Sequence, residues 1–582
     1  MSQDPTRARK VLRPRPAAVA GLLLSLLSGG GCTSAEPQPS DWQRSSTPQA
    51  PLIPAAATTI RRLVNGPDSA LASLTRAERS NLGALYEAEA YAPLWVDPTG
   101  RPSPSAREAL TLLDEAAADG LDPADYGVAR LHRLATALDS GEPPPVEDAA
   151  AFDTALSAGM LRYFRHLRLG RIDPRTIGFK LTVLEEGHDF VGLLHRAIAE
   201  DRIAETAMEL APAIAQYRGL REALTRYRSI AAEPGLVMIP SFVETVHPGK
   251  PYASLPNLHR LLVALGDLPV DTPVPRRGAS YQEPLVSGVR RFQARHGLDA
   301  DGILGRATHA ALRLPLDWRV RQIELGLERL RWLPDLNGRR VLVLNIPMFR
   351  LWAWDSTRPS ARPSLDMRAV VGRALSTETP VFVAEMRSVL FRPYWNVPPS
   401  IVRGEILPLL KRDPDYLRRQ DMEIVRGPGE HAQIMPVTAG NIALLDQGVL
   451  RLRQRPGAGN ALGLVKFDFP NEENVYLHGT PAQELFGRAR RDFSHGCVRV
   501  EHPVALAEWV LADQPEWTKE RILAAISGSQ SQEATLTRSI LVMLFYTTAI
   551  VTPEDGTVRF AEDIYGHDAT LDRALTRAGS AP

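Results

Sequence analysis

From about residue 66 to 245 the apolar positions recur three and four apart, the spacing of amphipathic helices. Stretches such as Ala106–Ala118 and Ala151–Leu169 carry it clearly, and Gly120 and Gly170 end the runs. Residues 66–250 are therefore expected to form a helical scaffold domain. Leu258, Leu261, Leu262 and Leu265 suggest a short helix opening a second unit over 251–315. There Val289, Phe292 and Leu298 share a core stripe, and Gly297, Gly302 and Gly305 are expected to supply positive-φ turns. A connecting helix over 316–337 follows. Asp317 is its expected N-cap, with Val320, Ile323, Leu327 and Leu330 on one face.

At Arg340 the period changes. Val341–Pro347 and Phe349–Trp354 read as a β-hairpin, and Ala369–Gly372, Val381–Val383 and Ser388–Phe391 as further strands. This succession predicts a β-sandwich-like domain over 338–512 and, with the helical parts, a multi-domain α+β fold. Residues 400–470 break the rhythm. Ile401, Ile406, Leu407, Leu410 and Tyr416 look helical, and Arg453–Pro470 looks like loop. So long an insertion is read as a lid over a site. After a helix at Ala505–Ala512, residues 513–582 are expected to be a C-terminal extension packing on the β-rich or the scaffold domain. Its apolar run Ile540–Ile550 is too short to cross a bilayer and reads as a buried strand.

Composition narrows the setting. The 582-residue chain holds 68 Lys and Arg against 67 Asp and Glu, so no global field marks nucleic acid or an anionic surface as partner. Arg7, Arg9, Lys10, Arg13 and Arg15 precede an apolar stretch from Ala17 to Leu27, the layout of a secretory signal peptide over 1–32. Cys32, after three glycines, resembles a lipoprotein cleavage site, although Gly29 stands where such sites prefer leucine. A lipid on Cys32 would be the sole membrane contact. Residues 33–65 are read as a flexible linker, Ser-, Pro-, Gln- and Ala-rich at least to residue 58.

The chain has two cysteines, Cys32 and Cys497, so Cys497 is the one thiol available once Cys32 is removed or acylated. It lies in Arg491-Asp492-Phe493-Ser494-His495-Gly496-Cys497-Val498-Arg499-Val500, nineteen residues after His478 in Asn474-Val475-Tyr476-Leu477-His478-Gly479-Thr480. Alternate side chains of a strand share a face. Val475, Leu477, Val498 and Val500 are expected to point into the core, and Tyr476, His478, Cys497 and Arg499 into a wet cleft. A thiolate is a nucleophile and a nearby imidazole can take its proton, while backbone N–H groups around Gly496 can meet an oxyanion. Zinc is the rival reading, with His478, His495 and Cys497 as three ligands. No C-x-x-C or H-E-x-x-H accompanies them, and positions astride a glycine chelate awkwardly, so no metal is expected. Arg488, Arg490 and Arg491 read as a solvated basic face that draws in carboxylates at most, and His502 as a surface residue.

The H-G and S-H-G-C-x-R motifs resemble the catalytic domain of the L,D-transpeptidases. Asn345-Ile346-Pro347, Val371-Gly372, Thr379-Pro380, Pro393–Pro398, Gly459–Gly463 and Lys466–Asn471 look like its large multi-domain subgroup. Residues 289–312 resemble the three-helix peptidoglycan-binding module. This resemblance implies that Cys497 is the nucleophile and His478 the general base. It implies that His495, Gly496, Gly479 and Ser494, with the Cys497 and Gly496 backbone, support an oxyanion site, and that Arg499 and Tyr476 bind substrate. The implied reaction is acylation of Cys497 by a tetrapeptide stem with loss of D-alanine, then transfer to an amine of another stem. It makes 3→3 cross-links in cell-wall biogenesis and the upkeep of cell shape, in the periplasm of a Gram-negative bacterium. No cofactor is implied. The implied partners are stem peptides, glycan and other wall-synthesis proteins, and carbapenems should acylate Cys497. Attachment of a lipoprotein, hydrolysis of the acyl-enzyme, and a purely wall-binding role are the alternatives.

Overall fold

The computed structural model describes residues 54–66, 71, 74–140, 144–181, 187–236, 239–336, 338–355, 362–552 and 555–579. The expected signal segment, Cys32 and the first part of the linker lie outside them. The last part of that linker is a helix, Pro54–Asn65. Its Ala56, Ile60, Leu63 and Val64 are buried at helical spacing, a pattern the alanine-rich composition hides.

The scaffold is organised around the helix Val146–Leu169, which buries residues all round its circumference, including Phe152, Leu156, Met160 and Phe164. Helices Pro54–Asn65, Arg76–Ala88, Pro104–Asp114, Val128–Ser140 and Phe190–Ala199 pack on it. Next come three helices, Leu255–Ala264, Leu285–Arg295 and Arg306–Arg313, sharing a core of Leu258, Leu262, Val289, Phe292, Leu304 and Leu312. Gly297 and Gly302 have φ of 67° and 75°, but Gly305 does not take the expected left-handed turn. It is extended, with φ −82°, and caps the helix Arg306–Arg313. Arg295 pairs with Asp267 at 2.8 Å and donates to Tyr227 Oη at 3.1 Å and to the Val558 carbonyl at 3.4 Å. This small unit is thereby joined to both the scaffold and the C-terminal region. The connecting helix is Leu316–Leu330 and its N-cap is Pro315 rather than Asp317. Asp317 falls in the first turn, where its charge complements the helix dipole.

The β-rich region contains β1 (Arg340–Asn345), β2 (Arg350–Asp355), β3 (Leu365–Gly372), β4 (Phe382–Phe391), β5 (Trp395–Asn396), β6 (Met422–Arg426), β7 (Gln433–Met435), β8 (Arg451–Gln454), β9 (Val465–Asp468), β10 (Leu477–His478), β11 (Asp492–Ser494), β12 (Val498–Val500) and β13 (Gln532–Phe545). One nine-stranded sheet runs β11-β3-β12-β10-β9-β4-β13-β1-β2, and β2 also pairs with β3. Eight strands therefore close on themselves around a core that includes Val389, Phe391, Phe467, Leu477, Val498, Val500 and Val542.

The expected domain boundary at 512 cuts this sheet. β13 runs parallel to β1 and antiparallel to β4. It lies between β4 and β1 in the closed sheet, so the C-terminal segment completes the β-domain as well as extending it. Two more predicted features differ. Phe382, Val383 and Ser388–Phe391 belong to one continuous strand, β4, and the supposed loop Arg453–Pro470 holds half of β8 and all of β9.

The insertion read as a lid is a folded subdomain with its own sheet, β5-β8-β6-β7. Its separate core contains Val402, Ile406, Leu407, Leu410, Ile424 and Leu452. Val402–Ile406 is a turn of π-helix that carries Glu405. Pro408 follows closely, and its missing N–H fits such a local widening. The chain returns to the main sheet through Asn460. Its buried amide donates to the carbonyls of Pro393 and Arg455 at 3.1 and 3.0 Å.

Candidate active site

β10 and β12 lie side by side in parallel, with Leu477 opposite Val498 and His478 opposite Arg499. Val475, Leu477, Val498 and Val500 all join the sheet core, as the alternation predicts. On the other face Tyr476 and His478 have ring centroids 5.7 Å apart. That face is not uniformly wet. His478 is only 5% exposed, whereas Cys497 is half-buried. The return from the lid covers His478. Gly463, at φ 65°, packs so close that a Cβ there would lie 2.7 Å from the Gly479 carbonyl carbon and the Thr480 nitrogen.

His478 Nδ1 lies 2.6 Å from the Gly479 carbonyl oxygen. A carbonyl only accepts, so Nδ1 carries the hydrogen and Nε2 keeps its lone pair. Burial, reinforced by the Arg499 charge, holds the ring neutral with a pKa of about 3; the Gly479 and Leu462 carbonyls oppose this and are outweighed. Among the described residues no hydrogen bond joins His478 to the Cys497 sulfur. Such contacts often tighten only when substrate is bound.

Burial pushes the Cys497 thiol up, and the Tyr476 N–H and hydroxyl, Lys466 and Arg499 pull it back without prevailing. These shifts favour a resting thiol beside a neutral imidazole over a thiolate–imidazolium ion pair. Sγ lies 3.8 Å from the Asn474 carbonyl. Tyr476 also receives a hydrogen bond from Trp395 of β5, so the lid's first strand reaches the ring that touches the sulfur. Lys466 of β9 sits over the Tyr476 ring at 4.5 Å and pairs with Asp468 at 2.7 Å. Arg499 Nε is buried with no hydrogen-bond partner among the described residues.

The Ser494–Cys497 turn is held from inside. Ser494 Oγ donates to the Cys497 carbonyl at 2.5 Å and accepts the Gly496 N–H at 3.2 Å. Gly496 has φ 109°, which glycine alone adopts readily. The His495 imidazole is engaged elsewhere, with Nε2 2.6 Å from Glu405 Oε1 of the lid. The three side chains considered as zinc ligands thus have different partners, and no group of three metal-ligating side chains occurs among the described residues. Gly479 is buried beside Pro503, and His502 is exposed.

The basic run is not one solvated face. Arg491 is 8% exposed and donates to the carbonyls of Phe349, Ala369 and Arg488, and burial lowers its pKa to about 10. Arg490 pairs with Asp492 at 2.8 Å, and Arg488 lies over the Phe493 ring.

Family models agree with this layout: a scaffold domain over 80–224, a peptidoglycan binding domain over 254–312 and an L,D-transpeptidase catalytic domain over 339–522. The chain carries an L,D-transpeptidase catalytic domain joined to a peptidoglycan-binding module. A Haemophilus influenzae protein named "Putative L,D-transpeptidase" is 30% identical over 255 residues, 44% of this chain. The match spans half the length of that relative. An L,D-transpeptidase crystal structure from Xylanimonas cellulosilytica aligns over 53% of this chain and all of its own, at 15% identity and a TM-score of 0.16, too low to carry an argument. The transpeptidase match stops at 522, before β13, although that strand is integral to the sheet.

Three residues around this candidate site escaped the sequence reading as individuals. Lys466 and Thr379 lay inside stretches that carried the family resemblance, without a role. Tyr565, beyond the motif and outside any periodic pattern, meets Thr379 and Gly372.

Proposed function

We propose that the protein is a peptidoglycan L,D-transpeptidase of the Gram-negative periplasm, exported by its N-terminal segment and making 3→3 cross-links. The observation that carries this reading is the placement of the half-buried Cys497 thiol, just before β12, next to the parallel strand β10, which holds a buried, neutral His478 whose Nδ1 is already engaged by the Gly479 carbonyl. Nε2 is then the free base. In the first step Sγ attacks the carbonyl of the third stem residue, its proton passes to His478, and the carbonyl electron pair moves onto oxygen. Collapse breaks the peptide bond, and the departing D-alanine amine takes the proton. In the second step the side-chain amine of another stem attacks the thioester, loses a proton to His478 and expels the thiolate. Arg499, close to the thiol and with Nε unpaired among the described residues, suits a stem carboxylate. Tyr476 lines the same cleft.

The test is mass spectrometry of muropeptides from cells expressing the wild type or Cys497→Ala. Dimers linked 3→3 should appear with the first and vanish with the second, and dimers independent of Cys497 would refute the reading. Shortened tripeptides without dimers would mark a hydrolase. Wall-bound lipoprotein without dimers would mark a lipoprotein-attaching enzyme.

A further inference from the structure

We propose that Thr379 and Tyr565 are positioning residues that aim the Cys497 N–H into the cleft, making it the chief backbone donor to the oxyanion. This rests on the acyl-transfer reading above.

Thr379 is fully buried at the base of the loop that follows β3. Its hydroxyl accepts the Gly372 N–H at 2.8 Å and stands 2.8 Å from the Gly496 carbonyl oxygen. A hydroxyl has one hydrogen, and a carbonyl can only accept, so that hydrogen goes to Gly496. Tyr565 repeats the logic one layer deeper. Its hydroxyl accepts the Thr379 N–H at 3.2 Å and donates to the Gly372 carbonyl at 2.6 Å. Every donor and acceptor in this four-bond lattice has one assignment, so it holds a single geometry.

The consequence falls on the Gly496–Cys497 peptide. In a trans peptide the C=O and the N–H point in opposite directions. Fixing the Gly496 carbonyl inward on Thr379 therefore turns the Cys497 N–H outward, and no acceptor meets it among the described residues. The other N–H considered for the oxyanion, that of Gly496, is already donated to Ser494 Oγ. The His495 imidazole is engaged by Glu405. When Sγ attacks a carbonyl and its electron pair moves to oxygen, the Cys497 N–H is the donor left free at that place. Preorganised donors act this way because they need no reorientation during the reaction.

The test uses the full chain and two reactions of one sulfur. Acylation by a carbapenem, followed by intact-protein mass spectrometry in a single turnover, builds an oxyanion. Alkylation by iodoacetamide does not. Thr379→Val should slow acylation by about 10- to 100-fold, below the full loss of an oxyanion donor, with alkylation within about twofold of wild type. Thr379→Ser should restore acylation, and Tyr565→Phe, which removes only an oxygen, should lose part of it. Should Thr379→Val not fold, Tyr565→Phe reads the same ratio. Acylation at the wild-type rate in Thr379→Val overturns the inference, as does an equal fall of both reactions, which would mean a displaced thiol. A wild type that alkylates but never acylates would overturn the functional reading itself.

Discussion

His495 stands two residues before the thiol, yet its imidazole meets the Glu405 carboxylate, 2.6 Å away, in the π-turn of the lid. Both side chains are partly exposed, 37% and 52%. An exposed pair contributes about 0–1 kcal/mol, so its use is better sought in where it holds the lid than in stability. Glu405→Gln should leave the melting temperature nearly unchanged and raise the KM for a tetrapeptide stem by at most about fivefold, the factor that ~1 kcal/mol allows. Steady-state kinetics with the purified chain checks this. A hundredfold fall in kcat would instead mean that His495 acts on the substrate.

Gly463 fixes how deeply His478 is covered. Its positive φ and its close approach to Gly479 both exclude a side chain. Gly463→Ala should cost about 1–3 kcal/mol through strain and overpacking and should slow carbapenem acylation as the Gly479 backbone shifts. Gly459→Ala, four residues earlier with nothing within 4 Å of an added Cβ, should change neither. Calorimetry and acylation rates on the pair separate local crowding from a general intolerance of the loop.

These contacts mark what local pattern can and cannot tell. Alternation along 475–478 and 498–500 sorted core from cleft because one face of each strand packs on the sheet core. It could not tell what covers the second face, and His478 is enclosed by a segment that returns after the whole lid. Arg491 misled for a related reason. Its neighbours are charged, but its guanidinium is satisfied by carbonyls remote in sequence. β13 was assigned to an extension because its partners are remote too. A parallel strand needs a long crossover, so nothing near it shows that it joins β1. The motif residues themselves were legible because their chemistry is concentrated within a few positions.

The thiol's environment predicts the pH dependence of alkylation. Burial raises the Cys497 pKa above that of an ordinary thiol, while Tyr476, Lys466 and Arg499 oppose the rise. Iodoacetamide alkylation, which follows the thiolate, should therefore keep climbing about tenfold per unit past about pH 8.5, where an ordinary thiol begins to level off. Lys466→Met should displace the curve to still higher pH and slow the reaction near neutrality. A plateau below pH 8 in the wild type would show a resting ion pair instead.

The neutral state of His478 has its own signature in stability. The folded pKa of about 3 lies below the ordinary value of 6.5 that the unfolded chain would show. A depressed pKa contributes stability fully present above 6.5 and lost as pH falls toward 3, because only the unfolded chain takes up the proton there. In that window the wild type should lose up to about 1.4 kcal/mol per pH unit relative to a His478→Gln variant, which has no such proton to bind. Denaturant melts of both proteins at several pH values between 4 and 7 measure the difference, and parallel curves would mean that the ring is protonated in the fold. Above that window the imidazole is already in its basic form, so His478 itself should add no acid limb near pH 6.5 to the rate of acylation. Any limb found there would have to come from another group or from substrate.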